Sequence, residues 1–258
     1  MWRIGSSASH DGARRMTVNA AFRAAYAEQR AAEGRGRQSL SLPYLREGPL
    51  AKQWAVRARS FDALARFVAR TRPRRVLDLG AGNGWLSYRL ALAGITSVAV
   101  DMRDDDVDGL GAATCYLEQP FGRFERIGAS FEALPLERGS FDMAIFNASL
   151  HYAIDLDAVL AEARRVVRPG GHLVVLDSPF YALERDGEAM VREKKSSGAY
   201  DATLLEPPFI EYLTSERLPG WRRHRVWYPL WYEVRPIISW VRGKRRPSRF
   251  DLWESIVS

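Results

Sequence analysis

The chain of 258 residues contains a single cysteine, Cys115, and no long apolar run. One cysteine excludes an internal disulfide, so a reducing cytoplasm is the expected compartment. No window approaches the ~18 consecutive apolar residues that a membrane span requires, and residues 1–15 lack the apolar core of a secretory signal. The sequence therefore predicts a cytoplasmic protein without stable membrane insertion.

Lysine is also scarce: arginine supplies nearly all of the formal net charge of +7. The basic residues cluster only in two short stretches, Trp221–Arg225 and Arg242–Arg246. Charge runs of this length usually form solvated faces rather than binding surfaces. We therefore expect no nucleic-acid partner.

Four short apolar runs alternate with helix-like segments in the middle of the chain. The runs are RRVLDLG, TSVAVD, FDMAIFN and GHLVVLD, and a helix is expected over Trp85–Leu92 and again between the last two runs. Strands that are buried on both faces and alternate with helices indicate a parallel sheet with right-handed crossovers. The predicted fold class is α/β, with a doubly wound, mostly parallel Rossmann-like sheet and an N-terminal helical cap.

The predicted organisation places a disordered tail over 1–16 and one domain over 17–258. That domain divides into a helical cap (17–70), a cofactor-binding core (71–180) and a substrate-side segment with the last strands (181–258). In the last segment the pattern predicts a helix over ALERDGEAMVREKK, a helix before Pro219 and a strand within RFDLWESIV.

A glycine-rich turn follows the first apolar run, with Gly80, Gly82 and Gly84 ahead of a helix. A dinucleotide-binding turn reads G-x-G-x-x-G, and Trp85 stands where its third glycine would admit a pyrophosphate. A P-loop is excluded because no Gly-Lys-Ser/Thr follows. Asp78, within the strand, would repel a phosphate and instead suits a ligand that carries an ammonium group.

Asp101 ends the second run about 20 residues beyond the glycines, where a carboxylate can accept hydrogen bonds from ribose hydroxyls. A ligand with a ribose, no phosphate and a cationic amino-acid end is S-adenosylmethionine. The motifs VLDLGAGNG, VAVDM, SFEALPLERGSFDMAIFNASLHY and EARRVVRPGGHLVVLD occur in this order. Together they resemble the class I S-adenosylmethionine-dependent methyltransferases over about 74–178. The resemblance implies methyl transfer to a small molecule.

The resemblance also implies roles for individual residues of the glycine turn. Gly80, Gly82 and Gly84 let the backbone pass beneath the methionine part and the ribose. Asp78 helps to orient the amino group, and Asp101 binds the ribose hydroxyls.

Further roles follow for the adenine side and for the boundary with the acceptor. Met102 packs on the adenine face, Ser130 and Phe131 flank its edge, and Asn147 lies where the cofactor meets the substrate. Many relatives carry Asp-Ala where Ser130 and Phe131 stand, so here the adenine amino group loses a charged acceptor.

His151 follows the third apolar run in NASLHY and is the candidate catalytic residue. A histidine can act as a general base near neutral pH, but a ring at this position can also pack beneath the cofactor. Both interpretations stay open.

Asp104, Asp105 and Asp108 have a spacing that suits Mg²⁺, but acids are also favoured at helix starts. We therefore expect no metal site.

The acceptor is expected to be hydrophobic or aromatic, because aromatic residues are frequent in the segments that should wall its pocket. These are Phe22, Tyr26, Tyr44, Phe180, Tyr181, Tyr200, Phe209 and Tyr212. If so, an apolar cavity of ~300–1,000 Å³ should open beside the sulfonium position. A helix that contains Trp54, Arg57 and Arg59 is expected to cap the cofactor, either with an arginine near its carboxylate or with arginines that only face solvent.

Three other classes of protein are alternatives to a small-molecule methyltransferase. A nucleic-acid or protein methyltransferase should carry a recognition module or an Asn-Pro-Pro-Tyr-like motif, from which NASLHY differs. A protein that binds S-adenosylmethionine without methylating has the same motifs. A lipid-modifying methyltransferase at a membrane surface would explain the basic, tryptophan-rich stretch near residues 227–246.

Overall fold

The structure is a computed structural model that describes residues 10–35, 40–205 and 207–258, with only the backbone described for 10–19. The strands are β1 (Arg75–Leu79), β2 (Thr96–Asp101), β3 (Glu125–Gly128), β4 (Phe141–Asn147), β5 (Val167–Leu176), β6 (Arg222–His224) and β7 (Leu252–Ile256). The α-helices are α1 (His10–Ala32), α2 (Ala51–Thr71), α3 (Trp85–Leu92), α4 (Thr114–Leu117), α5 (Leu156–Val166), α6 (Glu184–Ser196), α7 (Leu230–Glu233) and α8 (Arg235–Val241). Short 3₁₀ turns cover Leu110–Ala113, Leu150–Tyr152 and Ala202–Leu205.

The strands form one sheet in the order β3-β2-β1-β4-β5-β7-β6. The strands from β1 to β5 pair in parallel, whereas β7 is antiparallel to both β5 and β6. The predicted doubly wound, mostly parallel α/β sheet is thus confirmed. Its order reverses at β1, which pairs with β2 on one side and with β4 on the other. Such sheets bind ligands at the carboxyl ends of the strands at this switch point.

Successive residues of β1 enter two different apolar cores, one on each face of the sheet. Val76 joins the core that includes Leu64 of α2 and Leu86 of α3, whereas Leu77 joins the one that includes Val159 of α5. All of these side chains are buried, so apolar burial on both faces fixes the register of the strand. Because side chains alternate along a strand, Asp78 points to the same face as Val76 and lies beneath α3.

Several elements agree with the sequence prediction. The helix α3 has the predicted bounds, and α5 begins after Asp155, whose side chain accepts a hydrogen bond from the Ala158 backbone N–H at 3.0 Å. An oxygen at this position satisfies one of the free donors of the first helical turn.

Other elements differ from the prediction. The helix α1 begins at His10, so 10–16 of the predicted tail are helical, and residues 1–9 lie outside the described residues. The whole of α1 contains eight alanines and no proline, a composition that favours a helix. Residues 207–218 contain no helix where one was expected before Pro219, because the backbone N–H groups of Ile210, Glu211 and Leu213 donate to carbonyls of distant segments instead.

Two strands were not predicted. Both β3 and β6 are short and polar, so they lack an apolar pattern. Pro236 lies in the first turn of α8, where proline is tolerated. No helix in the described part of the chain has the length and apolar character needed to cross a membrane.

Candidate cofactor and acceptor site

The glycine turn between β1 and α3 has a backbone that only glycine adopts readily. Gly80, Gly82 and Gly84 have φ values of +71°, +54° and +78°. Space is also limited, because a Cβ atom on Gly80 would lie 2.4 Å from Cβ of Ser149, and one on Gly84 would lie 2.8 Å from the Phe124 ring. The turn thus brings the backbone against the loop that follows β4.

Asp101, at the end of β2, is fixed against this turn. Its Oδ2 accepts a hydrogen bond from the Gly82 N–H at 2.8 Å, and its Oδ1 accepts one from the Arg103 N–H at 2.8 Å. Burial raises the pKa of Asp101, and the charge of Arg103 opposes the rise. A carboxylate has about four acceptor positions, so two remain for a pair of ribose hydroxyls.

Asp78 is completely buried beneath the glycine turn. Its Oδ2 accepts a hydrogen bond from Ser87 Oγ at 2.9 Å, while Oδ1 has no hydrogen-bond partner among the described residues. Burial raises the pKa of Asp78 to about 7, and the negative charge of Asp101 adds to the effect. A buried carboxylate with a free oxygen is unfavourable unless a donor or a cation approaches it.

A second free oxygen lies across the switch point, at the end of β4. Asn147 Oδ1 is buried and has no partner among the described residues. The loop after it is held to β1, because Ser149 Oγ donates to the Leu79 carbonyl at 2.5 Å, and Ala148 has φ +56°. Asn147 and the glycine turn are therefore brought together at the ends of two neighbouring strands.

The predicted adenine-side residues lie after β2 and β3, on one side of the crevice that such a sheet forms outside the carboxyl ends of its strands at the switch point. Phe131 packs against the glycine turn, with its Cε1 atom 3.6 Å from where a Cβ on Gly80 would be. Ser130 Oγ accepts a hydrogen bond from the Glu132 N–H at 3.2 Å, and half-buried Met102 directly follows Asp101. The structure thus places all three after the carboxyl ends of β2 and β3, and their contacts with adenine stay a prediction.

The helix α1 covers this crevice through a tyrosine held between two arginines. The guanidinium groups of Arg30 and Arg103 each lie 4.4 Å from the centre of the Tyr26 ring. Tyr26 Oη lies 3.1 Å from Tyr152 Oη, and Arg30 donates hydrogen bonds to both hydroxyls. Arg30 also approaches Asp108 at 3.9 Å. The helix therefore contacts the loops after β2 and β4, on both sides of the switch point.

His151 lies in the 3₁₀ turn after β4. Its Nδ1 is 3.4 Å from Ser178 Oγ, and its ring centre is 4.3 Å from that of Tyr152. Burial, followed by the positive charges of Lys194, Arg30 and Arg57, lowers the pKa of His151 to about 3. The imidazole is therefore neutral at physiological pH.

Asp177, directly after β5, is a site residue that sequence reasoning missed. It is buried with φ +54°, an unusual conformation for a residue other than glycine. Its Oδ1 accepts a hydrogen bond from Ser60 Oγ at 2.5 Å, and its Oδ2 has no partner among the described residues. Burial raises the pKa of Asp177 to about 6, against the opposing charge of Arg57. The signal in the sequence was its place at the end of a predicted strand, as for Asp101.

Arg57, on α2, is a cation without a matched anion. It makes no hydrogen bond or ion pair with any described residue, and its guanidinium lies 5.0 Å from the Trp54 ring. Burial lowers the pKa of Arg57, and the charge of Arg35 adds to this effect, whereas those of Asp177 and Asp108 oppose it. The predicted helix is thus present, with a partly buried arginine on the same side as Asp177, and its role as a cap over the cofactor stays a prediction.

The acidic loop after β2 uses its side chains to bind its own backbone. Asp105 Oδ1 accepts hydrogen bonds from the N–H groups of Val107, Asp108 and Gly109 at 2.9–3.2 Å. Within the described ranges, no group of three His, Cys, Asp or Glu residues is arranged to hold a metal ion.

The aromatic residues expected to wall the acceptor pocket have different surroundings. Phe22 and Tyr26 of α1 join Tyr152 and Phe209 in one cluster, with neighbouring ring centres 5.3–5.9 Å apart. Phe180 instead stacks on Trp253 in the core. Tyr44 packs on Phe61, Tyr181 on Tyr212, and Tyr200 lies near Lys194.

A cavity of about 480 Å³ lies between α6 on one side and Leu205 and residues 207–212 on the other. Val191, Lys195 and Phe209 are among its lining residues, but none of the predicted cofactor residues lines it. The expected apolar cavity beside the sulfonium position therefore stays a prediction.

The strand order, the left-handed glycine turn and the acid at the end of β2 define a class I methyltransferase fold. The family model described as a methyltransferase domain matches residues 77–175. The YcgJ protein of Bacillus subtilis has a TM-score of 0.53 at 15% identity, over 76% of this chain and 98% of that one. At this identity the similarity shows the fold alone.

Two curated relatives are similar to this chain in sequence. Malonyl-[acyl-carrier protein] O-methyltransferase of Erwinia billingiae is 33% identical over 116 residues, which cover 44% of this chain and 42% of the relative. Arsenite methyltransferase of Aquipseudomonas alcaligenes is 35% identical over 171 residues, which cover 63% and 47%. This chain thus spans less than half the length of these relatives. Residues 77–175 thus match a methyltransferase domain, and the fold is that of class I S-adenosylmethionine-dependent methyltransferases.

S-adenosylmethionine is the cofactor that this family and fold imply. The residues of the crevice fit it, because Asp78 offers a free carboxylate oxygen to an ammonium group and Asp101 keeps acceptor positions for ribose hydroxyls.

Proposed function

We propose that this chain transfers the methyl group of S-adenosylmethionine to a small hydrophobic or aromatic acceptor. The observation that carries the proposal is the pair of buried, unpartnered oxygens, Asp78 Oδ1 and Asn147 Oδ1, beside a left-handed glycine turn at the switch point. When bound, S-adenosylmethionine would supply an electrophilic methyl group. The remaining catalytic tasks are to hold the reactants in line and to remove a proton where the acceptor has one to lose.

In this proposal, Asp101 binds the ribose hydroxyls and Asp78 faces the ammonium group. Arg57 serves the carboxylate of the same ligand, since it is a partly buried cation without an ion-pair partner among the described residues. Gly80, Gly82 and Gly84 supply the close backbone approach.

The adenine contacts are proposed from Met102, Ser130 and Phe131, which follow β2 and β3. The Ser130 hydroxyl already accepts a backbone hydrogen bond, but it can still donate one to a ring nitrogen of adenine.

Two residues are proposed to face the acceptor. His151 is neutral, and we assign it the role of accepting a hydrogen bond from the substrate that receives the methyl group. Its pKa of about 3 makes it a weak base, whereas Asp177, with a pKa of about 6, is better matched to neutral pH. We therefore propose that Asp177 takes the proton that the acceptor loses.

The cluster of Phe22, Tyr26, Tyr152 and Phe209 supports a hydrophobic or aromatic acceptor. Aromatic rings bury apolar area and attract cations such as a sulfonium. The names of the curated relatives, which mention an acyl-carrier-protein substrate and arsenite, do not select one acceptor class.

Calorimetry with S-adenosylhomocysteine tests the proposal. The wild-type chain should bind it, and Asp101→Ala should weaken binding by ~1–3 kcal/mol because the ribose hydroxyls lose their acceptor. Binding of NADH without any response to S-adenosylhomocysteine would contradict the proposal. Binding without turnover across a panel of acceptors would instead favour a role for the ligand other than methylation.

A second candidate, a lipid-modifying methyltransferase at a membrane surface, is favoured by one observation. Three tryptophans near the end of the chain, Trp227, Trp231 and Trp240, are exposed.

A further inference from the structure

Residues 227–241 carry an unusual number of large apolar side chains that face solvent. They contribute seven of the fifteen exposed large apolar residues in the described part of the chain, so the exposure is concentrated rather than scattered. These seven, which we call the aromatic patch, are Trp227 (70% exposed), Leu230 (78%), Trp231 (45%), Ile237 (62%), Ile238 (43%), Trp240 (78%) and Val241 (72%).

The aromatic patch is held firmly to the protein from beneath. Tyr228 and Tyr232 are buried, and the Tyr228 hydroxyl contacts Ser60 Oγ and the Phe250 carbonyl. The Tyr232 hydroxyl accepts a hydrogen bond from the Phe250 N–H at 3.1 Å. The helix α8, by contrast, has no buried residue. The segment that precedes α8 is therefore anchored, and α8 itself presents its side chains to solvent.

Positive charge lies next to the patch, although part of it is paired, since Arg223 pairs with Asp251 at 2.6 Å and Arg225 approaches Glu233 at 3.4 Å. Residues 222–246 contain eight arginines and lysines and one acid, Glu233. That acid is already paired with Arg249 at 2.8 Å. Arg242 and Lys244 directly follow α8, are exposed, and have no side-chain partner among the described residues. The local charge is thus unbalanced next to Trp240.

We propose that the aromatic patch, together with Arg242 and Lys244, binds peripherally to membranes that contain anionic lipid. Tryptophan is favoured at the level of lipid headgroups, where its apolar ring and polar N–H are both accommodated. Nearby arginine and lysine are attracted to anionic headgroups. The helix α8 has seven residues, so it lies on the surface and does not cross it.

Charge also argues against a second copy of this chain as the occupant. In a two-fold dimer through this surface, the same patch would meet itself and bring the cations of both copies together. Anionic headgroups complement these cations.

The patch belongs to the same end of the sheet as the proposed site. Ser60 joins Tyr228, at 2.9 Å, to Asp177 after β5. Arg245, just beyond the patch, pairs with Glu193 of α6 at 2.8 Å. Membrane binding does not depend on the proposed methyl transfer, but if both hold, a lipophilic acceptor could enter the crevice from the bilayer.

Vesicle flotation of the full chain without added cofactor tests the proposal. One vesicle is phosphatidylcholine alone, and the other contains about 30% phosphatidylglycerol. We expect the protein to float with the anionic vesicles ~10-fold more than with the neutral ones, and raising the salt from about 0.1 to 0.5 M should reduce binding.

Two double variants separate the apolar and charged contributions. Ile237→Ser/Trp240→Ser and Arg242→Gln/Lys244→Gln should each lower binding ~10-fold. These side chains are exposed, and thermal melting checks that the fold is kept. Phe121→Ser is the apolar control, since it is 74% exposed and precedes β3 at the opposite edge of the sheet.

The charge control is Lys52→Gln/Arg66→Gln on the exposed face of α2, and both controls should bind as the wild type does. Failure to float with either vesicle would overturn the proposal, as would equal losses in the control variants. A lipid-free dimer that Ile237→Ser/Trp240→Ser abolishes would assign the patch to a second copy and overturn it too. Binding of S-adenosylhomocysteine is measured separately, so failure here leaves the proposed methyl transfer untouched.

Discussion

Replacing Asp78 by asparagine should stabilise the ligand-free protein in a way that depends on pH. In the structure the carboxyl is completely buried with one unpartnered oxygen, and its pKa is raised to about 7. The unfolded chain ionises this group near ~3.9. Between these values the folded state binds more protons than the unfolded state, so the contribution of Asp78 to stability falls as pH rises.

The size of the effect follows from the two pKa values. Because the group ionises at lower pH in the unfolded chain than in the folded one, ionisation should lower the free energy of unfolding by about 1–2 kcal/mol at pH ~5 and by about 4 kcal/mol at pH ~8. Asparagine does not titrate, but its amide leaves a buried donor without a partner, at a cost of ~1–3 kcal/mol at every pH. Between pH ~5 and pH ~8, the free energy of unfolding of Asp78→Asn should therefore rise by roughly 2–3 kcal/mol relative to that of the wild type.

Urea unfolding at several pH values between about 5 and 8 measures this difference. Asp142→Asn is a matched control. Burial raises the pKa of Asp142, but hydrogen bonds from Arg168, Arg75 and Arg74 outweigh burial and lower it. Its stabilisation is lost only in stronger acid, so the Asp142→Asn difference should stay flat over this range. The reasoning would be refuted if the free energy of unfolding of Asp78→Asn, relative to wild type, did not change with pH over this range.

Three further predictions concern ligand binding and catalysis. Gly82→Ala should lower the stability of the protein, because its backbone is left-handed, and should also weaken S-adenosylhomocysteine binding in calorimetry. The control Gly94→Ala, with φ +81° and open space around it, should lower stability only. Full affinity in Gly82→Ala would contradict the role assigned to the turn. In a methyl-transfer assay, kcat should fall below pH ~6 as Asp177 becomes protonated. This acidic fall in kcat should disappear in Asp177→Asn but remain in His151→Gln. If the fall persists in Asp177→Asn, Asp177 is not the base. Arg57→Gln should weaken S-adenosylhomocysteine but not methylthioadenosine, which lacks the amino-acid group, and equal losses for both ligands would count against a carboxylate contact.

The elements with strong apolar patterns were predictable from the sequence. The strands β1, β2 and β4 are buried on both faces, so their apolar runs were continuous, and the order of strand, glycine turn and helix gave the fold class. The short strands β3 and β6 were missed because they are polar and are ordered by pairing with β2 and β7. Pairing between distant segments leaves no local pattern to read.

The site was predictable where it depends on neighbours in the chain, and not where it depends on distant segments. Gly80 and Asp101 could be identified from their places at strand ends. The assembly of Tyr26, Arg30 and Tyr152 could not be identified, because it joins residues more than a hundred positions apart across the switch point. The raised pKa of Asp177 likewise depends on burial beneath α2, which no local pattern reports.

The unpartnered charges favour one kind of ligand over another. Asp78 lies beneath the glycine turn with a free oxygen, and Arg57 lies on the capping helix without an anion among the described residues. A dinucleotide would bring phosphates toward Asp78 and gain only repulsion there. A ligand with an ammonium and a carboxylate on one carbon could satisfy both residues, and its binding would remove the unfavourable burial that makes Asp78 costly in the free protein. The same carboxyl that destabilises the empty fold would thus give the site its preference for an amino-acid group.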